Sequence, residues 1–268
     1  MMNKSAISTC NILGVNIAAI NIDRLLDYTI KNISELSGEY MCVSNVHTTI
    51  MAYEDENYRN IQNRAIMAIP DGGPLSSVGK KSGYKEMTRI TGADYMEAIL
   101  QISVQKGYRH YFYGSTEETL EKMYHNLKKK YPDVKIVGMY SPPFRALTKD
   151  EEKDVLKKIN MTKADFVWVG LGAPKQECWM AEHYKKVTGF MIGVGAVFDY
   201  IAENIKRSPQ WMRQCNLEWL YRLLQEPKRL FKRYLKTNSK FLWLVFTGEL
   251  KNVCGRKSKS EEITTIRN

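Results

Sequence analysis

Residues 164–177 read ADFVWVGLGAPKQE, an apolar run that passes through two glycines into a polar stretch. The run predicts a buried strand, and Pro174 suits the first turn of a following helix. The backbone amides and the positive dipole end at such a junction suit a phosphate. The spacing is neither that of a Walker loop nor G-x-G-x-x-G. A tight turn without a ligand is the alternative interpretation.

The same strand–loop–helix alternation covers the first two hundred residues. Strands are predicted at Tyr40–Val46, Ala65–Pro70, His110–Gly114, Val134–Gly138, Ala164–Gly170 and Gly189–Gly195. Helices are predicted at Ala93–Lys106, Thr116–Lys130, Thr148–Asn160 and Lys175–Val187. This alternation indicates an α/β fold whose parallel sheet is covered by helices on both faces.

Composition narrows the class of protein. The chain has 268 residues, enough for one full core and an appendage. Its five cysteines form no C-x-x-C pair, and its four histidines show no metal-ligand spacing. We therefore expect no disulfide framework and no built-in metal site, in a protein of the reducing cytoplasm. The N-terminus lacks the features of a secretory signal, and no apolar run is long enough to span a membrane.

The net charge of +11 is concentrated near the C-terminus. Between Lys206 and Lys240 there are ten basic and two acidic residues, interleaved with aromatic and aliphatic ones. We therefore predict two parts, an α/β catalytic domain at 1–205 and a helical, membrane-associating appendage at 206–268. The acidic run Glu54-Asp55-Glu56 is interpreted as the solvated face of one helix.

Polar and glycine-rich clusters follow four of the predicted strands. Ligands of parallel sheets bind at the carboxyl ends of the strands, so these clusters predict one crevice. They comprise Ser44 and Asn45; Asp71 and Gly72; Gly172, Lys175 and Gln176; and Gly195 and Asp199. Each cluster alone is also compatible with an ordinary turn.

A series of motifs follows in order from about residue 10 to residue 240. They are Asn45, PDGG at 70–73, Arg89 in TRITGADYM, YFYGS at 111–115, YPDVKIVG at 131–138, GLGAPKQE at 170–177, GVGAVFD at 193–199, RSPQWM at 207–212 and LEWLYRLLQEPKRLFKRY at 217–234. These motifs, in this order, resemble those of the WecG/TagA/CpsF family of bacterial glycosyltransferases. The resemblance implies a Rossmann-like core at the cytoplasmic face of the membrane. It also implies inverting, metal-independent transfer of an N-acetylmannosamine-type sugar from UDP to undecaprenyl-diphosphate-linked N-acetylglucosamine.

The resemblance also implies roles for single residues. Asp71 would be the catalytic base, and Asn45, Arg89, Gln176 and Asp199 would line the nucleotide-sugar pocket. The family often carries Thr two residues before Asn45, where this chain has Val43. This departure leaves open the identity of the donor sugar.

Metal-independent transfer needs a base for the acceptor hydroxyl and positive charge for the departing diphosphate. Partial burial would raise the pKa of Asp71 and suit it to the first task. For the second we predict Lys175, Arg89, the helix start after Gly172 and the tail arginines Arg222, Arg229 and Arg233. Arg222 and Arg229 are seven residues apart, which predicts one helical face. For each arginine, a solvated surface charge is the alternative.

The tail suits a membrane surface, with aromatic side chains at headgroup depth and basic ones on anionic lipid. The expected partners are a UDP-sugar, a polyprenyl-linked acceptor, the inner face of the cell membrane and a further copy of the chain, but no nucleic acid. The pathway would be teichoic acid, capsule or exopolysaccharide synthesis. Other interpretations are a relative using UDP-glucose or a UDP-uronic acid, a nucleotide-binding oxidoreductase and a non-catalytic membrane scaffold.

Overall fold

The computed structural model describes residues 7–247, which form one mixed α/β unit. Eight strands form one sheet: β1 (Thr9–Ile12), β2 (Val15–Ala18), β3 (Tyr40–Ser44), β4 (Met67–Pro70), β5 (Arg109–Gly114), β6 (Lys135–Tyr140), β7 (Phe166–Gly170) and β8 (Phe190–Gly193). Their order across the sheet is β1-β2-β4-β3-β8-β7-β5-β6. All neighbouring strands run parallel except β1 and β2. The predicted fold class, a Rossmann-like parallel sheet with a helical C-terminal part, is confirmed.

Twelve helices accompany the sheet in the described part of the chain. They are α1 (Ile22–Asn32), α2 (Val46–Glu54), α3 (Glu56–Arg64), α4 (Gly73–Lys81), α5 (Gly92–Lys106), α6 (Glu117–Lys130), α7 (Lys149–Met161), α8 (Lys175–Glu182), α9 (Val197–Ile201), α10 (Gln210–Gln214), α11 (Glu218–Gln225) and α12 (Pro227–Phe246). The four predicted helices correspond to α5, α6, α7 and α8, although α8 ends earlier than predicted.

The sheet is buried on both faces, as a parallel sheet must be. One core contains side chains of α1, α5, α6 and α9, for example Tyr95 and Phe198. The other contains side chains of α2, α3, α4, α7 and α8, for example Ile50 and Met180. Every residue of β3 is buried, which explains its continuous apolar sequence.

One strand pair lies outside the predicted strands, and one local prediction needs correction. The unpredicted pair is the hairpin of β1 and β2, in which Leu13 and Gly14 form a two-residue turn with positive φ angles of 52° and 89°. The run Glu54-Asp55-Glu56 is not one helical face. Glu54 ends α2, and Asp55 is extended and caps α3, where its carboxylate accepts hydrogen bonds from the backbone of Asn57 and Tyr58.

The C-terminal helices pack against the α/β core. Phe241 and Leu244 of α12 are buried in the core cluster beside α2. Lys240 pairs with Glu54 at 2.7 Å and lies over the ring of Tyr53. Among the residues 7–247, no helix has the length and apolar content needed to cross a membrane. The predicted appendage begins within this region, and its residues 248–268 lie outside the described ones.

Candidate active site

Asp71 lies at the carboxyl end of β4, where three chain segments meet. Its backbone N–H donates to the carbonyl of Ser44 at the end of β3, at 2.7 Å. The N–H of Ile90 donates to the carbonyl of Pro70 at 2.8 Å, which places Arg89 beside Asp71. Gly72 follows with φ of 109°, a conformation that a side chain would strain. The glycine therefore lets the chain turn sharply and leaves the carboxylate at the sheet edge.

The Asp71 carboxyl is only partly accessible to solvent, and its pKa is raised to about 7. Burial is the main cause, because it disfavours the charged form. The guanidinium of Arg89 lowers the pKa, whereas the carboxylates of Glu218 and Asp94 raise it. A carboxylate with a pKa near neutrality accepts a proton from an acceptor hydroxyl more readily than an ordinary aspartate.

A network of charges surrounds Asp71 and joins the core to the C-terminal helices. Arg89 pairs with Glu218 of α11 and donates to the Arg213 carbonyl at 3.0 Å. Arg207 contacts Asp94 and lies 3.7 Å from Glu218. Glu218 and the arginines Arg89 and Arg207 are each less than 20% exposed. Such shielded pairs hold the C-terminal helices over the Asp71 edge of the sheet.

Direct backbone packing reinforces this arrangement. A Cβ added to Gly73, in the first turn of α4, would lie 2.6 Å from Cγ of Asn216. Asn216 belongs to the turn between α10 and α11 and has a positive φ of 59°. The absence of a side chain at residue 73 therefore lets the C-terminal part approach the helix that follows Asp71.

Arg222 also reaches the site. Its guanidinium lies over the Tyr200 ring, 5.5 Å from the centroid, and donates to the Tyr200 hydroxyl at 3.1 Å. The negative charge of Asp71 is one of the causes that raise the pKa of Tyr200, after burial. Arg222, Tyr200 and Asp71 therefore lie in one neighbourhood.

The glycine-rich loops form a second group at the ends of β7 and β8. The Gln176 side chain is buried, and its Oε1 accepts the Gly172 N–H at 3.2 Å. A Cβ on Gly195 would lie 3.6 Å from the same oxygen. Gly172 has φ of 77°. A Cβ added at this residue would have no atom of the described residues within 4 Å, apart from its two neighbours in the chain. This loop therefore opens into free space above the sheet.

Between the two groups lies β3, and Asn45 directly follows its last residue, Ser44. Asn45 caps α2, accepting the Thr48 N–H at 3.2 Å. The Ser44 hydroxyl points away from this edge: it is fully buried and donates to Gln62 Oε1 at 2.5 Å. Ser44 therefore contributes its carbonyl to the Asp71 turn, and its side chain lies in the interior. Val43 has no hydroxyl, and its side chain packs in the opposite core, so neither residue presents a hydroxyl to the crevice.

The remaining predicted residues lie around these groups. Lys175 is exposed at the start of α8, and the Asp199 carboxylate accepts from Asn204 Nδ2 at 3.4 Å. The single helical face predicted for Arg222 and Arg229 is wrong, because Glu226 leaves the helical conformation, with φ of −128° and ψ of 56°, and separates α11 from α12. Both arginines nevertheless reach Glu226, at 3.4 Å and 2.5 Å.

Arg233 lies close enough to His47, in the first turn of α2, to act on its charge. Burial, followed by the charge of Arg233, lowers the pKa of His47 to about 4. Within the described residues, His47 Nδ1 and the Nε atoms of Arg222 and Arg233 are buried without a hydrogen-bond partner. Buried arginine donors without partners are costly unless a ligand or water satisfies them, so Arg222 and Arg233 suit an anion.

Sequence reasoning missed several residues that the structure brings to the site, namely Tyr200, Asp94, Glu218, Arg207 and His47. A signal was present for four of them. Asp94, Arg207 and Glu218 lie inside quoted motifs, and Tyr200 directly follows GVGAVFD. His47 neither lies inside a quoted motif nor directly follows one.

One group in the described region has side chains with metal-ligand chemistry, namely Glu152, Glu182 and His183. The ring nitrogens of His183 lie 2.7 Å from the Trp179 carbonyl and 2.7 Å from Glu152. These contacts account for the buried ring as a hydrogen-bonded link between α7 and α8.

Comparison with known proteins decides the family. The model of the glycosyl transferase WecG/TagA/CpsF family matches residues 10–254, most of the chain. The chain belongs to this family of glycosyltransferases. The protein is therefore a glycosyltransferase. Family membership argues against the two alternative interpretations of the sequence, a nucleotide-binding oxidoreductase and a non-catalytic membrane scaffold.

Similar proteins carry a more specific name. The glycosyltransferase is 29% identical over 218 residues to an N-acetylglucosaminyldiphosphoundecaprenol N-acetyl-beta-D-mannosaminyltransferase of Bacillus subtilis, covering 80% of this chain and 82% of the relative. Proteins of the same name from Bacillus spizizenii and Staphylococcus aureus are 30% and 27% identical. The alignment with the Bacillus spizizenii protein covers 72% of this chain and 73% of that protein. The alignment with the Staphylococcus aureus protein covers 71% of this chain and 74% of that protein.

Proposed function

We propose that this glycosyltransferase moves N-acetylmannosamine, or a closely related sugar, from UDP to undecaprenyl-diphosphate-linked N-acetylglucosamine. The names of its relatives support the acceptor and the sugar. The observation that carries the mechanism is the position of Asp71, a shielded carboxyl with a pKa of about 7 at the sheet edge where ligands bind. The product would serve teichoic acid, capsule or exopolysaccharide synthesis.

The proposed reaction is one in-line displacement with inversion. The Asp71 carboxylate takes the proton of the acceptor hydroxyl while that oxygen attacks the anomeric carbon. The bond from this carbon to the UDP oxygen breaks, and UDP leaves with the electron pair. Arg89 and Glu218 set the charge around Asp71, so the base stays ionisable near neutral pH.

Protein groups would stabilise the departing diphosphate without a metal. Parallel strands are about 4.8 Å apart, so Asp71 on β4 and the Gly172 loop on β7 are separated by roughly 14 Å. A nucleotide sugar in this crevice would place its diphosphate near the start of α8 and Lys175, with Arg222 and Arg233 facing it from the C-terminal helices. The unpartnered buried Nε atoms of these arginines support this role.

The donor sugar is the point on which the proposal is most specific. Val43 gives the crevice no hydroxyl where the family often has Thr, which keeps UDP-glucose or a UDP-uronic acid as the second candidate donor class. The test incubates the enzyme with a panel of UDP-sugars and a short-chain lipid-diphosphate-N-acetylglucosamine. We expect the highest rate with UDP-N-acetylmannosamine. A higher rate with UDP-glucose or a uronic acid would replace this donor, and no UDP release with any donor would refute the proposal.

We also propose that the C-terminal part, 206–268, docks the catalytic domain on the inner face of the cell membrane. Side chains at 231, 235, 242 and 246 fall on one stripe of α12, and all four are at least half exposed: Phe231, Leu235, Leu242 and Phe246. Lys228 and Lys232 lie beside this stripe and are exposed. An exposed apolar stripe flanked by lysines suits an anionic bilayer, which holds the polyprenyl acceptor.

The docking proposal is tested by vesicle sedimentation with anionic lipid. We expect Phe231→Ser with Leu235→Ser to lower vesicle binding at least tenfold, because each loses apolar area at the surface. Phe144→Ser is the matched control, since Phe144 is 93% exposed in the loop before α7. Equal vesicle binding by the double variant and the wild type would contradict docking through this stripe. A partner subunit covering the stripe would instead appear as dissociation of an oligomer in the double variant.

A further inference from the structure

Glu177 is a carboxyl that the proposed reaction does not use, although it directly follows Gln176. Its side chain is 1% exposed in the first turn of α8. Its Oε1 accepts a hydrogen bond from Gln176 Nε2 at 2.8 Å. The other end of the same amide, Gln176 Oε1, accepts the Gly172 N–H. Glu177 therefore determines which end of the Gln176 amide faces the glycine loop.

The amide lies across the ends of two strands. A Cβ on Gly193, at the end of β8, would lie 3.0 Å from Gln176 Nε2. The loop after β7 is bonded to Gln176 Oε1 through Gly172. A rotation that exchanged the two ends would face the Gln176 NH₂ toward the Gly172 N–H, and two donors cannot bond each other.

A buried polar chain connects Glu177 to the Asp71 side of the crevice. Burial and the charge of Glu177 raise the pKa of Tyr58, whose hydroxyl adjoins both Gln62 and Glu177. Gln62 Oε1 accepts the Ser44 hydroxyl at 2.5 Å, and the Ser44 carbonyl accepts the Asp71 N–H. Polar groups thus run beneath the loops after β7, β3 and β4.

The polar groups that connect Glu177 to the Asp71 side are unusually deeply buried. Glu177, Gln62 and Tyr58 are each at most 3% exposed. Glu177 Oε2, Gln62 Nε2 and the Tyr58 hydroxyl have no direct hydrogen-bond partner of normal geometry within the described residues. Polar groups buried in this way cost stability, so an apolar core here would be more stable. A functional role accounts for their presence better than folding does.

We propose that Glu177 is a positioning residue: it orients the Gln176 amide across β7 and β8, and so holds the Gly172 loop in the form that receives the donor's diphosphate. The inference rests on the proposed use of a UDP-sugar. Burial raises the pKa of Glu177.

The experiment compares two variants of the full-length enzyme. Glu177→Gln keeps an oxygen that accepts from Gln176, whereas Glu177→Leu keeps the size and removes the acceptor. We expect the Kd for UDP, measured by calorimetry, to rise about tenfold in Glu177→Leu and to stay within about threefold in Glu177→Gln. Hydrogen exchange of the Gly172 amide should become faster in Glu177→Leu and stay unchanged in Glu177→Gln. Glu177→Met is measured in parallel, because a flexible side chain fills the pocket if leucine prevents folding.

Glu39 provides the matched control for a merely structural effect. It is a buried carboxyl paired with Lys185 at 2.8 Å, at the opposite, amino end of β3. Glu39→Leu should lower stability and leave the Kd for UDP unchanged. The proposal is overturned if Glu177→Leu binds UDP like the wild type, if Glu177→Gln is equally impaired, or if Glu39→Leu weakens UDP binding as much. A wild-type enzyme that binds no UDP would instead refute the proposed function.

Discussion

Replacing Asp71 by Asn should stabilise the protein, by an amount that grows with pH. The Asp71 pKa is about 7 in the folded protein and 3.8 as the reference for the unfolded chain. Between these values the folded protein holds a proton that the unfolded chain releases. Wild-type stability therefore falls as the pH rises through this window and is constant above it. Asparagine does not titrate, so the variant escapes this loss.

The magnitude follows from the width of the window. From about pH 5 to about pH 7 there are two pH units, and each unit corresponds to about 1.4 kcal/mol. The stability of Asp71→Asn relative to the wild type should therefore increase by up to about 2.7 kcal/mol between pH 5 and pH 8. This is a large part of the roughly 5–15 kcal/mol that stabilises a typical domain.

Urea unfolding of both proteins, followed by tryptophan fluorescence at pH 5, 6, 7 and 8, measures this difference. Other titrating groups are common to both proteins and cancel. Asp94→Asn is the control, because Arg207 holds the pKa of Asp94 low despite its burial. That variant should be less stable than the wild type at pH 8. A difference between Asp71→Asn and wild type that does not change with pH would refute the assignment of a raised pKa to Asp71.

Two further predictions concern the contact between the C-terminal helices and the site. Glu218→Gln removes a negative charge that raises the Asp71 pKa, so the acid limb of the pH profile of kcat/KM should move about one pH unit lower. Glu226→Gln, in the same region, is the control and should leave this limb in place. An unmoved acid limb in Glu218→Gln would contradict the effect of Glu218 on the Asp71 pKa. Gly73→Ala places a methyl group 2.6 Å from Asn216, so kcat/KM should fall at least tenfold with the far-ultraviolet circular dichroism unchanged; full activity would show that close approach is unnecessary.

The sequence predicted the sheet better than the arrangement of charges. Buried parallel strands such as β7 are continuous apolar runs, which the sequence shows directly. Because the carboxyl ends of parallel strands lie at the same edge of the sheet, Asp71 and Gly172 meet that edge for any loop conformation. Spacing alone failed for Arg222 and Arg229, since a proline at 227 breaks the helix that would have aligned them. The pairing of Arg89 with Glu218 joins residues far apart in the chain, and only the packed fold brings them together.

The hydrogen bonds between polar side chains in the interior could not be predicted from the sequence either. Ser44 directly precedes Asn45 and was predicted to bind substrate, yet alternation along β3 turns its hydroxyl inward to Gln62. Glu177 lies in the GLGAPKQE motif, but its burial depends on the packing of α8 on α3. Motif order thus indicated the family, while the direction of each side chain depended on the sheet.

The rate of sugar transfer by Asp71→Asn, measured with saturating UDP-sugar and lipid acceptor, tests the central claim most directly. Loss of a general base predicts a fall in kcat of roughly 10²–10⁴-fold, with the Kd for UDP within about threefold of the wild type. A transfer rate within tenfold of the wild type would contradict the assignment of Asp71 as the catalytic base.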